Sequence, residues 1–247
     1  MSKLVFLLIC LVALGAAIIS SVFGVLGGAL LFVALSWTIN VKAAIPVHGL
    51  LQLIGNNLRI AVYFKYVQWW VVAWFSILLI PGILLGSWLY AAVNSEVLEI
   101  TVALGIMASL LIPPQMATAV SPRYVFVSLG FFSGFLGMIM GVTGPLIASF
   151  FVMANLSREQ LVATKSVCQG IVQAVKVVAF WQLLDFDYTQ YTTLIILLTI
   201  MILLGTFMGK AILKKFTRRS YDRWSKVLLL LISLSMLIKP IMTLLQQ

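Results

Sequence analysis

Trp69-Trp-Val-Val-Ala-Trp-Phe-Ser-Ile-Leu-Leu-Ile-Pro-Gly-Ile-Leu-Leu85 runs without a single charged side chain, and Leu4–Ile19 and Val227–Ile238 read the same way. Across the 247 residues, 63% are hydrophobic and 9% are charged. An ordinary soluble domain is about half apolar and roughly a quarter charged. So few charges could not hold a globule of this size in water, so the solvent that fits is the lipid bilayer. A helix needs about 20 apolar residues to cross the hydrocarbon, which leaves room for roughly eight to ten segments and little else. The sequence therefore predicts an all-α integral membrane protein. The opening Met1-Ser-Lys-Leu resembles a secretory signal, but the apolar run continues to about Val22 and reads as a retained first helix.

The formal charge of +10 suggests nucleic acid or anionic lipid at first sight. Seven of the 16 basic residues, however, lie between Lys210 and Lys226, which reads as a topology signal and argues against a nucleic-acid partner. Cys10 and Cys168 sit inside apolar blocks and read as packing residues rather than a disulfide. No CxxC, HExxH, GxSxG or Walker pattern occurs, His48 is the only histidine, and the six acids are scattered. The expectation is no enzyme, no cofactor and no metal site.

The chain repeats itself. Displaced by 117 positions, Gly24 falls on Gly141, His48 on Lys165, Gln52 on Gln169, Asn56 on Gln173, Arg59 on Lys176 and Phe64 on Trp181. After six inserted residues the match resumes, with Gly82 on Gly205 and Gly86 on Gly209. Polar residues are rare here, so the coincidence predicts a duplication, with one membrane repeat over 1–115 and a second over 116–247. Hydropathy gives five helical segments per half, at about 3–22, 24–39, 43–64, 67–92 and 97–112, then 124–140, 142–156, 160–182, 190–214 and 222–245.

The loop carrying Lys210, Lys214, Lys215, Arg218, Arg219 and Arg223 should be cytoplasmic. Its counterpart, Asn94-Ser-Glu-Val-Leu-Glu99, has no basic residue and should face out. Equivalent loops on opposite sides predict inverted repeats, with Asp185 and Asp187 outside and Arg123 and Arg158 inside. Lys42, which this scheme places outside, fits it least. Either all five segments of a half cross, or the first two form a re-entrant pair beside three spans. Inverted repeats with interrupted helices are a recurring plan of secondary transporters.

His48, Gln52, Asn56 and Arg59 are spaced 4, 4 and 3, and Lys165, Gln169, Gln173 and Lys176 repeat that spacing. At about 100° per residue each set fills an arc of roughly 80°, one stripe along a helix. Cations near helix ends often only snorkel to the interface, but snorkelling explains neither the amides nor the repetition. No carboxylate lies in either stripe, and unneutralised positive charge along a low-dielectric path suits a small anionic substrate. The breaks at Gly24-Val-Leu-Gly27-Gly28 and Gly141-Val-Thr143-Gly144-Pro145 could present helix N-termini to that anion; close helix packing through small residues is the competing reading. Trp69, Trp70 and Trp74 read as an interfacial anchor, and Gly82xxxGly86 and Gly205xxxGly209 as helix-packing motifs.

Gly134-Phe-Leu-Gly-Met-Ile-Met-Gly-Val-Thr-Gly-Pro-Leu-Ile147, then Ser157-Arg-Glu-Gln-Leu-Val-Ala-Thr-Lys165 with Gln169 and Lys176, resembles the TauE/SafE sulfite-exporter family. Gly24-Val-Leu-Gly-Gly28 through Pro81-Gly-Ile-Leu-Leu-Gly-Ser87 looks like its amino-terminal repeat, departing from the glycine-richer usual form at Ala29. The resemblance implies a prokaryotic inner-membrane carrier for sulfite or organosulfonates, with about eight spans. Residue spacing alone reaches only "anion".

On this reading Gln52, Asn56, Gln169 and Gln173 hydrogen-bond the substrate, and Gly27, Gly28, Thr143 and Gly144 add backbone donors. Arg59 and Lys165 attract it at the cytoplasmic mouth, with Lys176 and His48 towards the exterior. A passive anion channel would use the same cations. A membrane enzyme or assembly factor lacks any nucleophile–base pair. Homo-oligomerisation is compatible with the sequence.

Overall fold

In the computed structural model, residues 3–23, 26–111, 122–144, 151 and 156–213 are described. They form nine α-helices and two short 3-10 turns: α1 (Lys3–Phe23), α2 (Leu26–Thr38), α3 (Val41–Tyr63), α4 (Trp69–Ser76), α5 (Leu79–Ala92), α6 (Ser95–Leu111), α7 (Pro122–Met140), α8 (Arg158–Gln182) and α9 (Thr192–Leu213). No strand occurs among the described residues. The expected segments at 142–156 and 222–245 lie mostly or wholly outside them, as do Gly24, Pro145 and most of the basic loop to Arg223.

Arg123–Met140, Glu159–Gln182 and Tyr188–Gly209 are long and apolar enough to cross a membrane. Trp69–Ser76 and Leu79–Ala92 form a fourth candidate span, bent by 44° at their junction, and Phe6–Ser20 and Gly27–Thr38 are shorter apolar helices. The outward faces carry the lipid-compatible side chains: Leu7, Leu11, Trp88, Ile196 and Phe207 are all exposed.

Most boundaries follow local chemistry. The Asn40 side chain accepts from the Lys42 N–H at the start of α3, and Ser157 with Gln160 forms a capping box on α8. Asn94 accepts the Val97 N–H, so the acidic stretch read as a loop up to Glu99 begins α6 instead, at Ser95. Outside the apolar region, Asp187 caps the turn Tyr188–Tyr191, and hydrogen bonds from the Thr189 hydroxyl and N–H hold its carboxyl below the usual range.

The single segment expected at 67–92 is two helices. Pro81 has no N–H and would clash with a helical carbonyl four residues back, so the chain breaks at Ile77–Leu78 and restarts with Pro81 in the first turn of α5. Pro46, by contrast, sits inside an unbroken α3. It removes the donor that would bond the Lys42 carbonyl, and the Tyr90 hydroxyl from α5 donates to that oxygen at 2.6 Å.

The most extensive contacts between the first half of the chain and the second are α1 with α9, α5 with α7, and α3 with α8. Glycine makes the first two close. A Cβ on Gly205 would lie 2.6 Å from the Leu14 carbonyl oxygen, and one on Gly86 2.7 Å from that of Phe135. Gly134 meets the Leu79 carbonyl at 2.7 Å, and Gly82 and Gly130 likewise press on the backbones of Phe131 and Phe75. The helix-packing reading of these motifs fits that geometry. Cys10 and Cys168 are both free, and Cys168 is buried in the core. Trp69 and Trp70 are exposed, and Arg123 lies 5.7 Å over the Trp74 ring.

Candidate functional site

α3 and α8 lie against each other in the centre, and the polar stripes are buried there. His48, Asn56, Lys165, Gln169, Gln173 and Lys176 are all buried, Lys176 completely. Gln52 and Arg59 are half-buried. Burying this many polar groups between two helices is costly unless they are satisfied. Yet His48 Nδ1, Asn56 Nδ2, Gln169 Nε2, Gln173 Oε1 and Lys176 Nζ have no hydrogen-bond partner among the described residues. Ser133 Oγ on α7 is the only other such atom among the described residues. Among the described residues, orphaned polar atoms are thus concentrated along this one interface.

At one end, His48 Nε2 lies 2.9 Å from the Gly28 carbonyl and donates to it in the Nε2–H tautomer, and the Gly141 backbone also meets the imidazole. The Phe32 ring meets the imidazole edge to face at 5.3 Å. Gln52 lies against Gly28, where a Cβ would come 3.0 Å from its Nε2. From the other half, Lys176 reaches the same end, close enough to His48 for their charges to interact. Gly49 leaves the room: a Cβ there would lie 3.3 Å from Gln173 Oε1 and 3.8 Å from Lys176 Nζ. On the far side Lys176 Cδ passes 3.4 Å from the equivalent position on Gly137, beside the Thr143 methyl. Gly141, at φ +70°, ends α7 in a left-handed conformation and presses on Phe32 and Ile45.

The other end belongs to Arg59. Its guanidinium donates to Asn56 Oδ1 at 2.6 Å and to Ser20 Oγ on α1 at 3.3 Å. Lys165 lies within electrostatic reach of it. Ser20, Gly27, Gln52, Gly55, Arg59 and Thr206 line a cavity of about 20 Å³ here, space for about one water. The two helices therefore run antiparallel, setting Arg59 beside Lys165 at one end and His48 beside Lys176 at the other.

The comparisons with known proteins bear on the same residues. A family model described as Sulfite exporter TauE/SafE matches residues 9–236, which takes in both stripes and both glycine breaks. The chain belongs to the TauE/SafE sulfite exporter family. No curated protein and no solved structure matches it. Membership makes this a multi-pass membrane protein of a transporter family, in accord with its apolar helices.

Not every expected residue of this TauE/SafE chain turns towards the stripes. A Cβ on Gly27 would collide with the Ala16 carbonyl and Ser20, so that glycine allows α2 to approach α1, although its backbone also borders the small cavity. Gly144 is half-buried at the edge of the described residues, and Thr143 is buried with its methyl towards Gly137. Conversely, Gly49, Gly137, Ser20 and Tyr90 support the site and were not singled out from sequence. Glycine beside His48 was the one available signal. The roles of Ser20 and Tyr90 depend on partners 39 and 48 residues away.

Proposed function

We propose that this protein is a secondary carrier that exports sulfite or a small organosulfonate across a prokaryotic inner membrane by alternating access. The observation that carries the reading is the concentration of orphaned amides and the buried, unpartnered Lys176 along the α3–α8 interface. A sulfonate offers three acceptor oxygens and a negative charge. The Lys176 ammonium would meet that charge at the end where Gln52 and Gly28 also lie, and the amide N–H groups of Asn56 and Gln169 would serve those oxygens nearer Arg59.

The exchanged contacts support two inverted repeats, 1–115 and 116–247. The fourth segment of each half lies on the first segment of the other, with glycines at both seams. The antiparallel α3–α8 pair suits an axis in the membrane plane. The cavity beside Arg59 has space for about one water, which favours a carrier that must rearrange over an open anion pore. Exchange of labelled substrate against an unlabelled gradient (counterflow) in proteoliposomes tests that distinction.

Removing one hydrogen bond to a charged ligand costs roughly 1.5–3 kcal/mol, about ten- to a hundredfold in affinity. Gln52→Ala and Gln169→Ala should each weaken sulfite or sulfonate binding by that factor in purified, folded protein. Wild-type affinity and transport in both variants would place the site elsewhere.

A further inference from the structure

Lys176 stands apart from every other cation in the described structure. Its ammonium nitrogen is fully buried and has no hydrogen-bond partner. Among the described residues no carboxylate acts on it: Asp185 and Asp187 border the cavity beside Val177 and Val178, where the Tyr188 hydroxyl donates to the Val177 carbonyl, and Glu99 is buried on α6. From α3 comes His48, a second basic group, while Arg59 holds Ser20 and Asn56 at the far end. From α7 comes Gly137, and Arg123 of that helix lies over Trp74 instead. From α5, Tyr90 meets Phe180 and donates to the Lys42 carbonyl, with the Lys42 ammonium above its ring. Lys65, in the turn after α3, lies over Tyr66, and α4 presents no charged residue. Lys165 is on the same helix, eleven residues and about 16 Å away.

An ammonium in such surroundings is strongly disfavoured without a counter-ion, whereas an amine is far cheaper to bury. An arriving anion supplies the counter-charge. The structure points to a proton as co-substrate: we infer that the anion and one proton bind together, the proton at Lys176 Nζ, so that transport is proton-linked. This rests on the anion-carrier reading above. The step balances as amine plus proton plus anion giving an ammonium–anion pair, with no bond broken in the substrate. For a singly charged sulfonate the loaded site gains no net charge, which eases its passage through low dielectric. Coupling is reciprocal, so protonation tightens the anion as much as the anion tightens the proton.

The test uses the purified full chain and methanesulfonate, which has no titrating group near neutrality. Calorimetry in buffers of different ionisation enthalpy, at about pH 8, between the ordinary ranges of histidine and lysine, counts the protons taken up per anion. Wild type should take up a proton, approaching one per anion as pH rises, with affinity falling up to about tenfold per pH unit. Arginine does not lose its proton in proteins. Lys176→Arg should therefore still bind but take up none, and Lys176→Met should bind at least tenfold more weakly, also without uptake. His48→Gln should retain uptake. Binding by wild type without uptake, uptake that persists in Lys176→Arg, or uptake lost only in His48→Gln would each overturn the inference while leaving the anion site standing. If neither methanesulfonate nor sulfate binds, the anion reading falls and this inference with it.

Discussion

Gly28→Ala tests the site with the smallest change available. Gly28 lies in the first turn of α2, where alanine is intrinsically favoured over glycine by up to roughly 1 kcal/mol. The fold should not suffer. The new methyl, however, would come 3.0 Å from Gln52 Nε2 and 3.3 Å from its Cδ, closer than ordinary contact. Both atoms end a flexible side chain, so the amide will move aside rather than the helix. The Gly28 carbonyl that accepts from His48 is unchanged. If the displaced amide loses its bond to a charged ligand, the cost approaches roughly 1.5 kcal/mol, about tenfold in affinity. Calorimetry on Gly28→Ala, Gln52→Ala and the double variant makes a mutant cycle. The alanine at 28 should weaken wild type about tenfold and add almost nothing to Gln52→Ala, because its whole effect runs through that side chain. An equal loss on both backgrounds would show that Gly28 acts by another route, and no loss on either would remove the Gln52 amide from the site.

Cysteines placed at Ser95 and Ser220 should react with an impermeant thiol reagent from opposite faces of the membrane; labelling from one face would break the inverted-repeat scheme. Gly86→Ala and Gly205→Ala press a methyl onto a neighbouring backbone carbonyl at 2.7 and 2.6 Å. Each should cost about 1–3 kcal/mol of stability, read as a lowered melting temperature in detergent, because overpacking against backbone is relieved only by moving a helix. Melting unchanged by both would mean that the α5–α7 and α1–α9 seams are looser than described.

Composition by itself determined the solvent. A chain this apolar has only helices with which to satisfy its backbone in lipid, and periodicity then placed α1, α3, α7 and α8 to within two residues or so. The stripes were legible because polar residues are rare enough here for spacing to stand out, and the sulfite-exporter signature was legible in the second half. The break at Ile77 was not read, although Pro81 announces it, because hydropathy is blind to a missing N–H. What only the tertiary structure decided is partnership. Sequence aligns Arg59 with Lys176, but the antiparallel helices set Arg59 beside Lys165 and His48 beside Lys176. Gly27 and Gly28 are adjacent and chemically identical, yet one meets α1 and the other meets Gln52, because neighbours on a helix point about 100° apart. Which of two such residues faces a ligand depends on where other helices stand, and that depends on the close approach of helices whose glycines are far apart in the chain.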